Sequence, residues 1–119
     1  MKLPGPDHPI TITPNPKRIR VIADGVVIAD STHALTLKEA SYPAVQYVPR
    51  EDANLALLAR TDRTTHCPYK GDASYFSVVA DDKTIENSIW TYETPFPAMT
   101  EITGHLAFYP DKMKIEEVA

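Results

Sequence analysis

With one cysteine and four glycines among 119 residues, the chain closes off several classes of structure by scarcity alone. A lone cysteine forms no internal disulfide and no multi-cysteine zinc site. No stretch approaches the ~18 apolar residues of a membrane span, and the opening Met1–Pro6 carries no apolar core of a secretory leader. Basic residues are not in excess: 12 Lys and Arg face 16 Asp and Glu, for a net charge of −4. That balance lacks the footprint needed to track a phosphate backbone. Phosphate-binding loop, dinucleotide fingerprint, nucleophile elbow and paired-histidine zinc helix are all missing. The four histidines (His8, His33, His66 and His105) share no ligand spacing. The expectation is a cytoplasmic protein without metal or cofactor, and with neither nucleic acid nor membrane as partner.

Proline is plentiful. Eleven prolines punctuate the chain, and an interior proline costs a helix about 3 kcal/mol. Long helices are therefore excluded, while 43% hydrophobic and 24% charged residues place the chain among globular rather than disordered proteins. Residues 1–15 read as an extended N-terminal arm and 16–119 as one β domain. Arg18 to Ala23 alternates polar and apolar, Asp24-Gly25 marks a tight turn and Val26 to Ala29 returns, a strong hairpin signal. Further strands are expected at Ala34–Glu39, Ala44–Val48, Tyr75–Ala80, Glu86–Tyr92, His105–Tyr109 and Met113–Val118. Between Arg50 and Leu58 the pattern predicts a short helix leading into a strand, with Pro49 before it and Glu51 and Asp52 in its first turn. The sum is an all-β, tent-like or barrel-like single domain of eight or nine short antiparallel strands with one or two helical turns. Such strands leave edges, so monomer and edge-paired homodimer both stand.

The stretch Thr64 to Gly71 is where chemistry would gather. It holds Cys67, with His66 before it and Lys70 three residues on, framed by Pro68 and Gly71. A thiol reacts as the thiolate, which a neighbouring cation favours, yet free cysteine is also among the most buried residue types. Trp90 and Tyr92 lie two apart and so share a strand face, as do Tyr75 and Ser77. Phenols and an indole beside a lysine form a reasonable small-ligand wall, although most aromatics in a small β domain simply fill its core. Arg50 is a further candidate for a carboxylate or phosphate. Three readings stand. In the first, Arg50, Cys67, Lys70, Tyr75, Trp90 and Tyr92 line one pocket for a small anionic or aromatic ligand. In the second, Cys67 is a nucleophile or redox thiol assisted by Lys70. In the third, the stretch is a packed structural corner of an interaction module.

The run Thr65-His66-Cys67-Pro68-Tyr69-Lys70-Gly71-Asp72-Ala73-Ser74-Tyr75 resembles the signature T-x-C-P-Y-K-G-x-A-x-Y of an uncharacterised family, domain of unknown function 427. Tyr47 to Asp52 resembles its Y-x-P-R-x-D element, and Trp90 to Pro95 its W-x-Y-x-x-P segment. Gly25 to Ser31 resembles its opening hairpin and Ala107-Phe108-Tyr109 its late strand. The resemblance spans roughly residues 16 to 118 and implies a compact β-tent fold, similar in outline to methionine-R-sulfoxide reductases. Relatives of that fold often carry two C-x-x-C zinc pairs. With Cys67 alone this chain departs from them, and it lacks a resolving cysteine for sulfenic acid chemistry. The family's nucleotidyltransferase-like label implies paired aspartates beside a Gly-Ser loop, and no such group occurs.

Overall fold

A computed structural model describes residues 1–118 as ten antiparallel strands in three sheets, with no closed barrel. The first sheet has the order β1 (Ile10–Asn15), β4 (Ala34–Glu39), β5 (Val45–Tyr47). The second runs β10 (Lys114–Val118), β2 (Arg18–Ala23), β3 (Val26–Ser31). The third and largest is β6 (Leu58–Cys67), β7 (Gly71–Ala80), β8 (Lys83–Thr91), β9 (Leu106–Phe108). Three short 3-10 turns, Arg50–Asp52, Leu55–Leu57 and Pro97–Ile102, complete the described chain.

The all-β expectation holds, with ten strands in place of eight or nine and a third helical turn that Pro97 opens. Ile10–Asn15, within the stretch read as an arm, pairs along its whole length with β4. Pro14 is tolerated there because β1 is an edge strand, where a missing backbone donor costs least.

Alternation along the third sheet divides the core in two. Val78, Ile89, Leu106 and Phe108 face the second sheet, where Ile19, Val21 and Ile28 are buried with them. Ala73, Tyr75 and Ala107 face the first sheet and pack with Leu37, Tyr47, Tyr92, Met99 and Ile102. The third sheet thus has no free face along its centre. It is the middle layer, and its buried apolar side chains join one cluster or the other by parity.

The expected hairpin is present: Ala23 pairs with Val26, leaving Asp24 and Gly25 as the two-residue turn. Both have positive φ, +49° and +81°, as the strand-matched turn of this length requires. Gly25→Ala is expected to destabilise the domain by about 1–2 kcal/mol in urea unfolding. Gly25→Asn, which tolerates the left-handed region, should cost clearly less.

Candidate functional site

The turn between β6 and β7 is built from Pro68, Tyr69 and Lys70, and it closes on Gly71 at φ +112°. A side chain at Gly71 would meet the backbone of Thr94, Pro95 and Phe96 at 3.5–3.6 Å, and the Phe96 amide donates to the Lys70 carbonyl at 3.0 Å. The turn is therefore pinned against the segment after β8.

Lys70 projects to the end of β4. Its Nζ donates to Glu39 Oε1 at 2.6 Å, and the other carboxylate oxygen, Oε2, lies 2.7 Å from His8 Nε2. Lys70 and Glu39 are only 12% and 15% exposed. The His8 ring stacks flat on Tyr69, with centroids 4.0 Å apart, and the Lys2 amide donates to the Pro68 carbonyl at 2.7 Å. The N-terminal arm thus lies across the turn and helps shield the ion pair. Burial pushes the Glu39 carboxyl up, and hydrogen bonds from Lys70 and His8 more than offset it, holding the group below its ordinary 4.5.

Cys67 is half-buried and packs against the cluster of Leu37, Tyr47, Ala73 and Tyr92. Its neighbour His66 points to the other strand face, where Nδ1 lies 2.7 Å from Asp72 Oδ1 and the ring meets Phe96 edge-on. Around Cys67 the aromatic hydroxyls are tied together. Trp90 Nε1 donates to Tyr47 Oη at 3.1 Å, Trp90 and Tyr109 rings lie 4.6 Å apart, and Tyr75 Oη sits 2.9 Å from Thr65 Oγ1 and 3.2 Å from Tyr109 Oη. Burial raises the phenols of Tyr47 and Tyr92 far above their usual range. Burial and the bond to Tyr75 push Tyr109 up to about 12. For Tyr75 burial works the same way but is outweighed by hydrogen bonds from Thr65 and Tyr109 and by the Arg63 guanidinium, which together lower it.

Cys67, Tyr75, Trp90 and Tyr92 are brought to one face of the third sheet, and Lys70 stands at its edge, 5.9 Å from the Tyr92 ring centroid. Arg50 is elsewhere. It lies over Phe76, which alternates with Tyr75 and so faces the other side. There its guanidinium donates to the Gly104 carbonyl, Glu93 and Thr91 at 3.0–3.2 Å, while Arg60 shares the same Glu93 oxygen at 2.6 Å.

A cavity of about 440 Å³ opens beside Trp90 at the β9 edge. Its walls are mainly Tyr42, Val45, Trp90, Phe108, Pro110 and Ile115. The profile of a family described as a domain of unknown function (DUF427) matches residues 11–119. The chain belongs to this family. A search of curated proteins finds no match. Within this DUF427 domain, the stretch resembling the family signature forms the β6–β7 turn and its flanking strands. Sequence reasoning missed Glu39 and His8, which complete the surroundings of Lys70. Glu39 closes an alternating strand, and no local pattern distinguishes its carboxylate from a solvent-facing one.

Lys70→Met is expected to cost about 1–3 kcal/mol at neutral pH, because Glu39 is left shielded and half-satisfied. The sign with pH follows from the lowered Glu39 value: its contribution is full above the ordinary value and is lost as pH falls through the folded-state value. Urea unfolding of wild type and variant should therefore converge as pH drops below 4.5.

Proposed function

We propose that this DUF427 domain binds a small, ring-bearing and mainly apolar molecule held against Trp90. The observation that carries the reading is the cavity of about 440 Å³ beside that indole. Its size falls within the range of small-molecule sites, and its lining has their usual apolar character with a few polar groups. Tyr42, Pro43 and Pro110 offer flat faces for stacking, and Val45, Phe108 and Ile115 supply aliphatic and aromatic contact.

Of the residues first grouped as a ligand site, Trp90 lines this cavity directly. Tyr75, Tyr92 and Cys67 stand behind it, fixing the wall through the cluster that includes Tyr47 and Tyr109. The anionic alternative has less support. Lys70 already faces Glu39 at 2.6 Å, and an incoming anion would have to displace a carboxylate that His8 also holds. Arg50 is engaged by three acceptors on the opposite side of the sheet. Neither cation stands unpaired toward the cavity.

Trp90 is the one tryptophan of the chain and lines this cavity, so its indole emission reports directly on occupancy there. Titration with acetophenone, a single-ring quencher, is expected to quench Trp90 with a saturable curve. Ile115→Gln, which places an amide in the wall, should shift that curve to about tenfold higher concentration. Linear quenching in the folded wild type, indistinguishable from that of free tryptophan amide, would contradict the proposal.

A further inference from the structure

We propose a second binding site, for a small zwitterion of the free amino-acid class, in a cradle formed where β6 and β8 bulge on either side of β7. The central strand is regular and its neighbours are not. From Arg60 to Thr64, β6 takes four steps where β7 takes two, and β8 does the same from Ile85 to Ile89. Both strands loop out at nearly the same level. Bulges of this kind re-aim side chains and concentrate beside functional sites.

The two bulges are tied across β7. Asn87, left-handed at φ +49°, donates its backbone N–H to Ser77 Oγ at 3.0 Å, and its side-chain Oδ1 accepts from Thr61 Oγ1 at 2.6 Å. Asparagine adopts that backbone more readily than other non-glycine residues, so the kink is held rather than forced. Arg63, carried on the β6 bulge, lies over the Tyr75 ring, 5.1 Å from its centroid, and Lys112, from the turn between β9 and β10, lies 5.4 Å from that of Tyr109. The two cations are thereby positioned on ring faces instead of waving freely in solvent.

Between them lies a cavity of about 390 Å³ lined by Arg63, Glu86, Asn87, Tyr109, Asp111 and Lys112. Two cations and two carboxylates surround it. Among the described residues none of the four comes within 4.0 Å of an opposite charge. Lys112 donates instead to the Glu86 backbone carbonyl at 3.1 Å. Four charges of balanced sign are gathered around one space and left uncommitted to each other.

That balance selects the ligand. A phosphate or a simple carboxylate would gain Arg63 and Lys112 but suffer Glu86 and Asp111. A divalent cation or a simple amine would meet the reverse. A molecule carrying both an ammonium and a carboxylate satisfies all four, the carboxylate on Arg63 with the Tyr109 hydroxyl as donor, the ammonium toward Asp111 and Glu86. The Thr65–Tyr75–Tyr109 hydroxyl string fixes Tyr109 in the wall of the site.

The test is a panel of the free L-amino acids, each added singly to the full chain and read by thermal shift and by amide NMR shifts at Arg63 and Asn87. At least one amino acid should give a saturable response, while its decarboxylated amine and its deaminated acid give none. Arg63→Gln and Asp111→Asn should each weaken the response by about tenfold while leaving the ligand-free melting temperature in place, since both side chains are exposed. Silence across the panel would overturn the proposal, as would a response that survives both substitutions. Equal binding of the deaminated acid would also overturn it, by showing a plain anion site.

Discussion

The ion pair between Lys70 and Glu39 fastens two of the three sheets at one point, and the surroundings of the family signature are arranged about it. Glu39 ends β4, Lys70 stands in the turn that joins β6 to β7, and a 2.6 Å bond between them spans the gap. Exposed pairs of this kind contribute little, with a median near 0–1 kcal/mol. This one is shielded by the arm, where His8 holds the second carboxylate oxygen while stacking on Tyr69. Removing either partner would leave a poorly solvated charge behind, so the asymmetry between making and breaking the pair is what gives it weight.

Other residues in the stretches that resemble the family's motifs act in a similar way. Arg50 reaches from the Arg50–Asp52 turn to the Gly104 carbonyl, Glu93 and Thr91. Asp52 accepts from Ser31 Oγ at 2.6 Å, joining the same turn to β3. Trp90 donates to Tyr47 across the second cluster. Each bond connects elements distant in sequence, and each uses a polar side chain where a small three-sheet domain has little apolar area left to spend. In such a fold a cluster of polar side chains need not be a reaction centre. It can mark the places where sheets are locked together.

Much of the architecture was legible. The alternation of Arg18 to Ala23, the Asp24-Gly25 pair and the return strand read directly as the observed hairpin, because turn geometry is local. That Trp90 and Tyr92 share a face followed from strand parity, whereas Tyr75 joins them through the β7–β8 register, which pairs it with Trp90. What was not legible depended on distance or on irregularity. Lys70 and Glu39 are 31 residues apart, and no local pattern links them. Arg50 was grouped with Lys70 on charge, yet one step of parity between Phe76 and Tyr75 puts it across the sheet. The bulges in β6 and β8 leave no mark in composition, since threonine, arginine and asparagine there suit regular strand and loop alike. Ile10–Asn15 alternates as an edge strand should, but it was read with the arm, because the strand it pairs with, β4, lies some twenty residues away.

A double-mutant cycle between Lys70 and Glu39 tests most directly whether this pair locks the sheets. Stability to urea would be measured at neutral pH for wild type, Lys70→Met, Glu39→Gln and the double variant. A favourable coupling of about 1–2 kcal/mol is expected, with the double variant less damaged than the two single losses summed. Strict additivity of the two single losses would contradict the locking role, leaving Lys70 and Glu39 as neighbours that do not hold the sheets together.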